Sequence, residues 1–182
     1  FSFNHLSDLY TTLSRSYQLS ASLPDAPLRV FEKKTSALPQ NTEAERLVVQ
    51  RIGQDIFREC LIDFWQGRCP LTGISDMALL RASHIVPWRN CENDAQRLDV
   101  HNGLLLSALW DAAFDRGLVT FSNEGAPVLS PAVSLAARQE LRWNSKLNLS
   151  VRQRENLTWH RAHIFCSSAS LDDQQSTKTS VK

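Results

Sequence analysis

The sequence predicts an α+β fold, and three observations carry that expectation. A long segment beginning at residue 42 repeats apolar residues at helical spacing. A short apolar strand over 79–85 is followed, after a polar loop, by a second strand over 100–106 that runs directly into a short helix. A further strand pair over 118–129 has Asn123-Glu124-Gly125 as its turn.

Each element has a local reason. Leu6, Leu9, Tyr10, Leu13 and Tyr17 recur near helical spacing and predict a helix over 4–19. Residues 20–41, with Pro24, Pro27 and Pro39, read as a surface connection. Thr42 and Glu45 have capping-box spacing. The helix they open carries Leu47, Val48, Ile52, Ile56, Leu61 and Trp65 on one face, and Arg46, Arg51 and Arg58 on a face expected to be solvated. It should end near Gly67, before the tight turn Cys69-Pro70-Leu71-Thr72-Gly73. The polar loop spans 88–98, and the short helix spans 107–114. Ser130-Pro131 has the form of a start for a helix reaching Leu141, and Val151 to Phe165 reads as the last helix. The expected organisation is an N-terminal helix and linker over 1–41, a main domain over 42–166, and a polar, disordered tail over 167–182.

Composition narrows the function classes. The net charge is only +1, so a nucleic-acid surface would have to come from local clustering. Apolar runs are too short to span a membrane. Cys60, Cys69, Cys91 and Cys166 form no CxxC pair, which argues against a zinc ribbon and favours reduced thiols in a cytoplasmic protein. The chain begins at Phe1 and reads as part of a longer one, leaving room for an upstream specificity domain.

The chemistry concentrates in one stretch. His84 ends a strand, Asn102 begins the return strand, and Asp111 and Asp115 lie four apart on the next helix, so both project from one face. A neutral imidazole can take a proton from water. Carboxylates on a rigid helix can hold a divalent cation, which neutralises phosphate oxygens. An Asn amide both donates and accepts, so it can pin the loop that presents the histidine.

Ser83-His84-Ile85-Val86-Pro87-Trp88, then Asn102-Gly103-Leu104-Leu105-Leu106, then Asp111 to Gly117, resemble the HNH, or His-Me finger, nucleases. The likeness is to the bacterial restriction-type subgroup written SHI-P-W, NGLLL and D-x-x-F-D-x-G, and it covers about residues 45 to 165. It implies a ββα-metal core with flanking helices and a metal-dependent DNA endonuclease of restriction or defence type. In that scheme His84 and Asn102 are catalytic residues: His84 is the base, and Asn102 orients its loop. Asp111 would bind the metal, with Asp115 and Ser83 as further ligand positions. Mg²⁺ or Mn²⁺ is the implied ion, with Zn²⁺ or Ni²⁺ as softer alternatives. Ser83 is a departure, because many members carry an acidic residue or a histidine there. The alternatives are a catalytically weak or inactive DNA-binding module and an RNA-directed nuclease toxin.

Arg81, Arg89, Arg97 and Arg116 flank this site; Arg81, Arg89 and Arg116 are the expected nucleic-acid contacts, and some of the four should instead pair with Asp94, Asp99 or Glu92. The stretch 133–165 holds six Lys or Arg and two Glu, a local charge of +4 and a candidate backbone-binding face. His160 and His163 read as surface histidines, and His101 as pointing away from the site. A homodimer is compatible with all of this.

Overall fold

β1 (Leu80–His84) and β2 (Gly103–Ser107) pair antiparallel, with His84 opposite Gly103 and Ser83 opposite Leu104. β2 runs into α5 (Ala108–Asp115), which packs on both strands and completes the ββα core of an α+β fold. The computed structural model describes residues 5–23 and 25–166. Three helices precede the core: α1 (Leu6–Ser22), α2 (Asp25–Thr35) and α3 (Glu43–Phe64). α4 (Asp94–Leu98) lies between the core strands. The hairpin β3 (Val119–Phe121) and β4 (Pro127–Leu129) follows α5, and then come α6 (Leu135–Glu140) and α7 (Val151–His163).

Every residue of β2 is buried. A strand with one wet face would alternate, so the unbroken Gly-Leu-Leu-Leu-Ser run marks a strand covered on both sides. α3 covers one side, through an apolar cluster that includes Phe57 and Leu61. α5 and the β3–β4 hairpin lie on the other, through a cluster that includes Trp110, Phe114 and Phe121. The Trp110 indole also donates to the Arg142 carbonyl at 3.1 Å, fixing α5 to the segment after α6.

The capping box forms as expected: Glu45 N–H donates to Thr42 Oγ1, and Thr42 N–H donates to Glu45 Oε2. The buried face of α3 is displaced from the expected one. Val49, Gly53, Ile56, Phe57 and Leu61 are buried, whereas Leu47 and Val48 remain 57% and 55% exposed. Two apolar stripes overlap in this sequence, and only the packed neighbours decide which one is covered. Arg58 is not simply solvated, since it donates to the Leu80 and Met77 carbonyls at the entry to β1.

Other boundaries move for local reasons. Part of the expected connection over 20–41 is the helix α2. Pro27 sits in its first turn, where an amide has no partner within the helix, and Phe31 buries against α3. The loop over 88–98 contains a single 3-10 turn and α4, capped by Asn93. Ser134, not Ser130, caps α6: Ser130 Oγ accepts from Ala132 N–H in the turn before the helix and donates to the Cys166 carbonyl. The tail expected to be disordered lies outside the described residues. No helix among the described residues is long and apolar enough to cross a membrane. All four cysteines are free thiols.

Gly117 ends α5 with φ +66°, and an added Cβ would lie 2.0 Å from the Ile164 carbonyl oxygen. Backbone on both sides leaves no room to yield. Gly117→Ala should therefore lower unfolding free energy by at least about 2 kcal/mol in urea denaturation.

Candidate active site

Asn102 is fully buried. Its Oδ1 accepts from Val86 N–H at 2.9 Å, and its Nδ2 donates to the Val86 carbonyl at 3.1 Å. The same Nδ2 reaches the Gln96 carbonyl and Cys91 Sγ, both at 3.3 Å. The Asn102 carbonyl accepts from Ile85 N–H at 2.9 Å. One side chain thus ties the end of β1 to the loop that follows it. Asn102-Gly103 is not a hairpin turn here: Asn102 closes a 3-10 turn, and Gly103 is extended at the start of β2.

The tied loop brings the Arg97 carbonyl to 2.9 Å from His84 Nε2. A carbonyl can only accept, so Nε2 carries the proton and Nδ1 keeps its lone pair. The His84 ring stacks on Phe57 with centroids 3.8 Å apart at 17°, and lies perpendicular to Trp88 with centroids 5.6 Å apart. Burial lowers its pKa to about 4, against a smaller opposing effect of the Arg97 carbonyl. The imidazole is neutral throughout the physiological range.

Ser83 points to the other face of β1. Its hydroxyl donates to Asp111 Oδ1 on α5 at 2.5 Å. Asp115 lies one turn further along the same helix. Burial, and then the Asp111 carboxylate, raise its pKa to about 6, while Arg116 opposes. Ser83, His84 and Asp115 all line one cleft of about 530 Å³, with Pro87, Trp88, Arg89 and Arg116 around them. Two mutually repelling carboxylates beside a hydroxyl are an oxygen donor set that fits a hard divalent cation. Among the described residues no group of three or more His, Cys, Asp or Glu side chains converges on a metal position. A cation held here would therefore keep coordination positions for phosphate or water.

The expected arginines divide. Arg89 and Arg116 are exposed at the cleft. Arg81 is exposed, but its guanidinium turns back to the Ala78 and Leu80 carbonyls and does not line the cleft. Arg97 is structural, as it bonds Asp94 at 2.7 Å and the Trp88 and Cys91 carbonyls. Most arginines of the basic stretch over 133–165 also make intramolecular bonds, although all but Arg161 stay exposed. Arg138, Arg142, Arg154 and Arg161 donate to backbone carbonyls, and Arg152 pairs with buried Asp99 at 2.7 Å.

Residues 69–122 match the family model described as HNH endonuclease. This HNH segment runs from the Cys69 turn through β1, Asn102, β2 and α5 to β3, and so contains His84, Asn102, Asp111 and Asp115. No curated protein matches the chain. The helices α1 to α3, α6 and α7 lie outside the HNH segment.

Three contributors to the site had no local sequence signal. Phe57 comes from α3, and the Arg97 carbonyl is backbone. His160, expected at the surface, is 1% exposed. Its Nε2 donates to the Phe114 carbonyl at 3.2 Å, its Nδ1 accepts from Thr120 at 3.1 Å, and its ring stacks on Phe114. Both nitrogens being engaged, it is a strut between α7 and α5 although it borders the cleft. His163 stays exposed, stacked on Trp159. His101 bonds Ser150, away from the cleft as expected.

Burial lowers the pKa of His160 to about 4, below its ordinary 6.5. A histidine depressed in the folded state binds protons preferentially when unfolded. Its stabilising contribution is complete above about 6.5 and is lost as pH falls toward 4. His160→Gln should flatten the dependence of the thermal midpoint on pH across that window, as scanning calorimetry at several pH values will show.

Proposed function

We propose that this protein is a metal-dependent endonuclease that hydrolyses phosphodiester bonds in DNA. The observation that carries the reading is the state of His84. Its Nε2 is committed to the Arg97 carbonyl, its Nδ1 has no hydrogen-bond partner among the described residues, and His84 lines the same cleft as Asp115 and Ser83, the partner of Asp111. The order His84, Asn102, Asp111 within the HNH segment supports it.

His84 Nδ1 accepts a proton from water as the water oxygen bonds to phosphorus and the bond to the leaving oxygen breaks. The bound phosphodiester is anionic and favours the imidazolium that results, which raises the basicity of His84 above its value in the empty cleft. Asp111 and Asp115 would hold the divalent cation, with the Ser83 hydroxyl orienting Asp111. Such a cation neutralises the phosphate oxygens and the developing charge on the leaving oxygen. The all-oxygen donor set favours Mg²⁺ or Mn²⁺ over Zn²⁺ or Ni²⁺. Arg89 and Arg116 grip neighbouring phosphates. Resemblance to restriction-type nucleases makes foreign DNA the expected substrate.

A supercoiled-plasmid assay with Mg²⁺ or Mn²⁺, run beside an RNA substrate, tests this. DNA should be cut and chelation should abolish cutting. His84→Ala should reduce the rate on the order of 10²- to 10⁴-fold. Undiminished cutting by His84→Ala would remove His84 from its role. DNA bound but uncut in either metal would favour a non-catalytic recognition module. Asp111→Asn should weaken Mn²⁺ binding in calorimetry, and unchanged affinity would relocate the metal.

A further inference from the structure

We propose that Phe57, on α3 and outside the HNH segment, is the positioning residue that sets the plane of the His84 ring, and that Gly103 is small in order to admit it. The inference rests on the nuclease reading for its kinetic consequence, and on geometry alone for the contact.

The Arg97 tether does not orient His84 completely. In an imidazole, Nε2 lies nearer the axis of the Cβ–Cγ bond than Nδ1 does, so a single bond at Nε2 restrains rotation about that axis only in part. Nδ1 lies well off the axis, and its lone pair sweeps as the ring turns. The ring faces must therefore be held separately. Phe57 covers one face, nearly parallel at 3.8 Å, and Trp88 packs perpendicular to the ring at 5.6 Å. Phe57 is itself 1% exposed and locked in the apolar cluster of α3. Trp88 is seated in turn against Gly53 of the same helix, where a Cβ would lie 2.5 Å from the indole.

Gly103 is the cross-strand partner of His84. Its φ of −145° is open to any residue, so conformation does not require glycine. Space does: a Cβ would lie 2.5 Å from the Phe57 ring and 2.7 Å from Leu61. Any side chain at 103 would push Phe57 off the histidine. A β1–β2–α5 unit without α3 would lack the surface that aims its base.

The test compares Phe57→Leu and Gly103→Ala with Val49→Ala, a truncation in the same cluster away from His84. Both site variants should lose kcat by on the order of 10- to 100-fold with KM and Mn²⁺ affinity unchanged, while Val49→Ala keeps wild-type kcat. Either site variant, folded and with wild-type kcat, overturns the proposal. In the wild-type protein the His84 ring protons should resonate upfield, shielded by the Phe57 ring, and unshifted resonances also overturn it, whether or not the variants fold. A wild type that cuts no nucleic acid defeats the nuclease reading instead, and leaves the shielding to decide the contact.

Discussion

The Asn102 carboxamide stands between the last residues of β1 and the loop beyond them, shielded from water and bonded at both of its polar atoms. A buried amide deprived of these partners would cost the full desolvation of its groups, on the order of 1–3 kcal/mol each. The loop is therefore held in one course. That course returns the chain past Gln96 and places the Arg97 carbonyl against His84. The tautomer of the histidine, the side of the ring left open, and the wall that Trp88 and Arg89 give to the cleft all follow from it.

A second constraint is the burial of β2 on both faces. Adjacent residues of a strand point to opposite faces, and with β2 enclosed by α3 and α5 both faces meet packed neighbours, so Ser83 and His84 are directed to different elements. Ser83 is directed to the carboxylates of α5 and His84 to the aromatic ring of α3. α7 reinforces the arrangement from outside. Gln153 accepts from Ser150 N–H at its N-terminus and donates to the Gly103 carbonyl, and His160 holds the Phe114 carbonyl.

Charge is distributed by the same logic. Most arginines of the C-terminal part serve backbone carbonyls or Asp99, and the exposed arginines bordering the cleft are Arg89 and Arg116. Those two place cationic groups at the cleft that Asp115 and His84 line.

Much of this was legible in the linear chain, because it depends on short-range rules. The capping box at Thr42, the strand before His84, and the carboxylates one turn apart at Asp111 and Asp115 each follow from residues within a few positions of one another. The α+β class came from these, and the candidate site from the same residues read with the resemblance to HNH nucleases. The tertiary structure decided what no local pattern encodes. It set which stripe of α3 is covered, folded residues 25–35 into a helix, buried His160, and drew the arginines of 133–165 onto carbonyls. It also decided the protonated nitrogen of His84 and the plane of its ring. Those properties are set by a backbone carbonyl and an aromatic face from separate segments, which meet only when β2 is enclosed between its two helices.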